Sequence, residues 1–153
     1  MIKTYTQIHI QAVFAVKNRQ SLIQNKWKNE LYLYISRIIH NQGHRLLIIN
    51  GMPDHLHIFF GMRPVQSLSD LLQDIKGDSS KWINKKGFPD KRFSWQESFG
   101  AFSYSKSHIP SVIQYINNQE QHHIKRTFIE EYIEHLEKFG IEYDPKYIFK
   151  PIE

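Results

Sequence analysis

Two histidines separated by one residue lie inside the apolar run GMPDHLHIFF, residues 51–60. Successive side chains of a strand point to opposite faces. His55, His57 and Phe59 therefore share one face, while Leu56, Ile58 and Phe60 share the other and can enter a core. Imidazoles at i and i+2 stand roughly 7 Å apart at their Cα atoms and can both reach one divalent cation. Polar decoration of a solvated strand face would give the same pattern, so the pair by itself is a weak motif.

A second group follows at 115–122. Tyr115, Gln119 and His122 are spaced i, i+4, i+7 and so line up along a helix. A phenol can attack phosphorus, and an amide oxygen one turn on can ligate a hard cation; together they suit a metal-assisted phosphotyrosine reaction. A packing tyrosine with its hydroxyl at a core edge, beside a solvated amide, is the alternative. His122 is a further candidate, as a ligand, a proton acceptor or a phosphate contact, with His123 next to it. His9 is another, on the sheet face expected for the imidazole pair.

Patterning along the chain supplies the elements that must position these groups. Residues 4–16 alternate, with Thr6, Ile8, Ile10, Ala12, Phe14 and Val16 on one side: a half-buried strand. Trp27, Leu31, Tyr34, Ile35, Ile38 and Ile39 recur at helical spacing, and Gly43 marks the stop. Strands follow at 44–50 and 55–60, joined by NGMPD, turn chemistry longer than a two-residue loop. Ser67 with Asp70 makes a capping box ahead of a second helix. The aromatic stretch 93–105 reads as a fourth strand. The order β-α-β-β-α-β predicts an α+β, ferredoxin-like or RRM-like antiparallel sheet with two helices on one face. One domain over 1–153 is expected: a core at 4–105, a tyrosine helix at about 107–125, and a C-terminal helix and tail at 127–153, capped by Thr127.

The chain of 153 residues contains no cysteine, which excludes disulfides, zinc–thiolate sites and cysteine catalysis. Twenty Lys and Arg against fifteen Asp and Glu give a net charge of +5 and a pI near 9.3, favouring an anionic partner. No apolar run is long enough to span a membrane and no signal peptide is seen, so a cytoplasmic protein without membrane partners is expected. Lys17, Arg19, Lys76, Lys85 and Lys86 lie at loops and helix ends where they could neutralise phosphates.

The motifs in order resemble a family, the single-tyrosine HUH transposases of the smallest bacterial insertion sequences (IS200-like). The pattern His, bulky hydrophobe, His is similar to His55-Leu56-His57 within MPDHLHIFF. The other matching stretches are AVFAVKNR, SLSDLLQDIKG, WQESFGAFSYS and YINNQ, Tyr115 to Gln119. The resemblance covers about residues 4–125. It implies an enzyme that cuts and rejoins single-stranded DNA at hairpin-bearing element ends. Tyr115 would be the nucleophile and hold a 5′-phosphotyrosine; His55, His57 and Gln119 would hold Mg²⁺ or Mn²⁺; and the working form would be a homodimer. The alternative is an RRM-like module that binds single strands on an open sheet face without catalysis.

Overall fold

A computed structural model describes residues 4–145 of the chain. Four strands, β1 (His9–Ala15), β2 (Arg45–Met52), β3 (His55–Gly61) and β4 (Gly100–Tyr104), form one antiparallel sheet in the order β2-β3-β1-β4. Two long helices, α1 (Asn25–Asn41) and α2 (Leu68–Lys86), supply the crossovers. Three shorter ones follow: α3 (Ile109–Asn117), α4 (Gln119–Lys125) and α5 (Phe128–Lys138). The α+β order expected from the sequence is the one observed.

The main core lies between the sheet and α1/α2. Ala12, Phe14, Leu56, Ile58 and Phe60 face Trp27, Leu31, Ile35, Leu71, Leu72 and Ile75, all essentially buried. Burying such side chains stabilises the fold by about 1.5–3 kcal/mol each. α2 starts where Ser67 accepts a hydrogen bond from the Asp70 amide; this is a simple N-cap, without the reciprocal arm expected of a box. It ends at Gly87, whose φ of 69° suits glycine.

The opposite sheet face is covered too. Phe59 packs with Val112 and Ile116 of α3, while Val13, Ala15 and Phe102 pack with Phe128 and Leu136 of α5. The face that carries His55 and His57 is therefore roofed by C-terminal helices, because α3 and α5 each carry an apolar stripe that has to be buried somewhere.

Several boundaries differ from the sequence reading. The first strand is His9–Ala15, not 4–16. The β2–β3 turn has only two residues, Pro53 and Asp54, since Gly51 and Met52 stay in the ladder opposite Leu56 and His55. Gly51 allows this: a Cβ there would lie 2.2 Å from the His55 carbonyl oxygen. Gly100–Tyr104 of the fourth-strand stretch forms the ladder along β1; Trp95 makes an isolated bridge to Val16 just past β1, and Phe93 and Trp95 enter the main core. The tyrosine helix breaks at Asn118 into α3 and α4. The end of the expected tail, 146–153, lies outside the described residues.

Candidate metal and tyrosine site

β3 carries the imidazole pair into the space between the sheet and the C-terminal helices. His55 and His57 are 0% and 1% exposed, so neither decorates a solvated face. Each is held from behind. The His55 Nδ1–H donates to Asp54 Oδ1 at 2.7 Å, and Asp54 occupies the tight turn just before β3. Gln11, across the ladder on β1, places its amide Nε2 2.9 Å from His57 Nδ1, and its Oε1 accepts from the Tyr104 hydroxyl. An amide can present either its oxygen or its nitrogen, so Gln11 can serve either His57 tautomer. Both imidazoles thus direct Nε2 inward, the usual arrangement when an outer partner orients a metal-binding histidine.

α5 brings the residue that sequence reading missed. Glu131 is buried, and its Oε1 lies 3.0 Å from His57 Nε2 and 3.6 Å from His55 Nε2. The ligand atoms of His55, His57 and Glu131 all lie within 4.8 Å of one another, and two nitrogens and a carboxylate oxygen are a donor set suited to a divalent first-row cation. α5 is fixed at its start by a capping box between Thr127 and Glu130. The resemblance covers about residues 4–125 and so ends before Glu131. The one signal for Glu131 is a carboxylate three residues after Phe128, beside the apolar line of Phe128, Tyr132 and Leu136.

Tyr115 and Gln119 join the same cluster. The Tyr115 hydroxyl donates to Glu131 Oε2, and Gln119 Nε2 donates to the same oxygen at 3.0 Å. Gln119 Oε1 lies 3.2 Å from His55 Nε2. The Tyr115 ring meets His57 edge-on, with centroids 6.1 Å apart. The break at Asn118 is anchored by Asn50 of β2, whose side-chain amide donates to the Ile116 and Asn117 carbonyls. His122 stacks on the Tyr115 ring at 4.4 Å. His9 shares the sheet face but sits towards the far end of β1, beside Phe59 and away from the cluster.

The electrostatics are those of a buried charge cluster. Burial opposes ionisation of Glu131, yet His123, His55 and His57 together hold it well below the usual carboxylate range. Burial likewise opposes charge on His55, but the Asp54 and Glu131 contacts outweigh it and raise its pKa. Burial dominates at His57 and pushes it down to about 4. Burial and the adjacent Glu131 charge raise the Tyr115 phenol far above its ordinary value, so it is protonated at neutral pH. A cavity of about 210 Å³ opens beside this phenol, with Arg126, His135 and Lys138 in its lining.

Among the described residues, none of the expected phosphate-binding cations makes a hydrogen bond or ion pair with this cluster; Arg19 lines a cavity with Phe128 and Tyr132 of α5. Lys17 is exposed and Arg19 partly so, on a turn where Asn18 and Arg19 both hold positive φ (58° and 54°). The Lys17 amide donates to Ser94 O, which draws the turn towards the basic Lys91–Arg92 segment. Lys76 is partly buried and donates to Ser98 O. Lys85 and Lys86 are exposed in the last turn of α2.

Residues 4–119 match the family model described as "Transposase IS200 like". Over 118 residues the chain is 21% identical to the ISDra2 transposase TnpA of Deinococcus radiodurans, spanning 74% of this chain and 84% of that relative. Two solved structures share the fold, each with a TM-score of 0.60. One is a crystal structure of a Deinococcus radiodurans R1 protein assigned as a transposase, 21% identical, covering 78% of this chain and 98% of that one. The other is a REP-associated tyrosine transposase bound to a REP hairpin, 15% identical, covering 80% of this chain and 73% of that one.

Proposed function

The chain belongs to the IS200-like transposase family, and on that premise we propose that it cuts and rejoins single-stranded DNA at hairpin-bearing element ends through a 5′-phosphotyrosine on Tyr115. The observation that carries this reading is the meeting of Tyr115, His55 and His57 around Glu131, drawn from three separate stretches of chain.

In this reading the Tyr115 oxygen attacks the scissile phosphorus, and the P–O3′ bond breaks. The phenol proton leaves along its hydrogen bond to Glu131 Oε2 and ends on the departing 3′-oxygen, since Glu131 is held well below the usual carboxylate range and does not keep it. Because burial and Glu131 disfavour a free phenolate, the proton leaves as the new P–O bond forms. The departing 3′-oxygen takes up a proton, and attack by another 3′-hydroxyl later reverses the step. No net bond energy is lost, so no high-energy cofactor is consumed. His55, His57 and Glu131, with the Gln119 amide oxygen beside them, would hold the divalent ion. When bound, Mg²⁺ or Mn²⁺ would polarise the phosphate and stabilise its added charge. Arg126 and Lys138 line the cavity beside the phenol, where a phosphate oxygen would find cations. Orientation of Tyr115 by Glu131 and by the stacked His122 supplies positional order.

A hairpin substrate is supported by the positive charge of the chain and by the REP hairpin bound to a relative of the same fold. A homodimer belongs to the same proposal. The exposed turn Lys106–His108 ahead of α3 could let the tyrosine helix dock on its own sheet or on a partner's. The RRM-like reading is disfavoured by the roof of α3–α5, which leaves no open aromatic platform on the sheet.

The test uses labelled single-stranded hairpin DNA with Mg²⁺ or Mn²⁺, resolved on a denaturing gel. A covalent protein–DNA adduct is expected, and Tyr115→Phe should lose it while still retarding the hairpin in a native gel. Cleavage by the Tyr115→Phe protein would instead assign the nucleophile to water.

A further inference from the structure

Glu131 Oε1 sits at a hub of three imidazoles, not two. His57, His123 and His55 place their Nε2 atoms 3.0, 3.3 and 3.6 Å from it. His123 comes from α4, where Gln119 and His123 stand at i and i+4 and so share the face that meets His55 and Glu131. The His123 ring lies 4.8 Å from the His55 ring, centroid to centroid.

The state of His123 is unusual for a packing residue. Its side chain is only 8% exposed, and its buried Nε2 has the Glu131 carboxylate oxygen at 3.3 Å as its one close polar neighbour, without hydrogen-bond geometry. A route from the surface exists as well. A cavity of about 440 Å³ is lined by Asp54, His123, Arg126 and Glu130, among others, and shares Arg126 with the cavity beside Tyr115.

We propose that His123 is a third imidazole ligand of the metal site, so that His55, His57, His123 and Glu131 hold one divalent ion between them. This rests on the reading of the cluster as a metal centre. It adds to the resemblance-derived set of His55, His57 and Gln119 a nitrogen donor from α4 and a carboxylate from α5. Gln119 then serves chiefly to orient Glu131, through its donation to Oε2. The C-terminal helices become part of the metal centre as well as a cover over the sheet.

The test strips the full chain with chelator, reloads it with Mn²⁺ and counts nitrogen couplings to the ion by pulsed electron paramagnetic resonance. Three imidazole nitrogens are expected in the unmodified protein and two in His123→Ala. Calorimetric titration with Mn²⁺ should show His123→Ala and Glu131→Gln weakening affinity by at least about tenfold, with His57→Ala as the reference loss. Two couplings in the unmodified protein, with unchanged affinity in His123→Ala, would overturn the third ligand and leave the metal site standing. Failure of the unmodified protein to take up Mn²⁺ would overturn the metal centre itself and the proposal with it. The count on the unmodified protein decides the matter even where a variant fails to fold.

Discussion

At the scale of single residues, one carboxylate, that of Glu131, faces imidazole nitrogens with Oε1 and a phenol with Oε2. Its neighbours titrate in opposite directions despite lying in one cluster. His57 has only an amide behind it, so burial wins and its pKa falls to about 4; His55 has Asp54 behind it, and its pKa rises. In the metal-free protein, an NMR titration should find the His57 ring neutral until near pH 4, with the His55 ring still protonated above pH 6.5. The stability consequences have opposite signs. Below pH 6.5 the unfolded chain binds a proton that the folded His57 refuses. Stability from this residue therefore declines as pH falls towards 4, by on the order of 3 kcal/mol at about 1.4 kcal/mol per pH unit. The contribution of His55 is fully present below its unfolded pKa and is lost as pH rises through its raised folded value. A His57 ring that protonates near pH 6.5 would show that it is not enclosed as described.

At the scale of elements, the site depends on how closely α5 sits on the sheet. Gly100 at the start of β4 makes that approach possible. A Cβ there would lie 2.6 Å from Cε1 of Tyr132, the residue next to Glu131. Gly100→Ala should therefore displace the Tyr132 ring, costing about 1 kcal/mol and lowering Tm by roughly 2–4 °C. Gly77, inside α2, has nothing within 4 Å of its Cβ position. Gly77→Ala should stabilise by about 0.5–1 kcal/mol through the unfolded chain. Thermal melts of the two variants should move in opposite directions, and a Gly100→Ala melt at or above the parent's would refute the close contact. The sequence pattern placed α1, α2 and α5 well, since each has a clear apolar stripe and α2 and α5 have capping residues. It missed the break at Asn118, because Tyr115, Gln119 and His122 also fit an unbroken helix; what fixes the break is Asn50 of β2, 65 positions or more away, bonding the Ile116 and Asn117 carbonyls.

Across the whole molecule, a net charge of +5 on 153 residues favours an anionic partner such as nucleic acid, and Lys17, Lys85 and Lys86 are exposed. Hairpin affinity should fall with salt at a log–log slope of about −3 to −5, and Lys85→Ala/Lys86→Ala should make it shallower by about 1.5 to 2 units. A slope unchanged by that double substitution would place the DNA elsewhere. The sequence by itself determined the β-α-β-β-α-β element order, the two crossover helices, the inward face of Leu56, Ile58 and Phe60, and the candidacy of His55, His57, Tyr115 and Gln119. All of these follow from local periodicity or from motifs contained in one short stretch. Tertiary structure alone decided that the imidazole face is roofed, that His123 rather than His122 reaches the cluster, and that Glu131 stands at its centre. Those outcomes depend on where the apolar faces of α3 and α5 find a surface to bury. That surface is assembled from strands distant in sequence, so no pattern within a single helix could announce it.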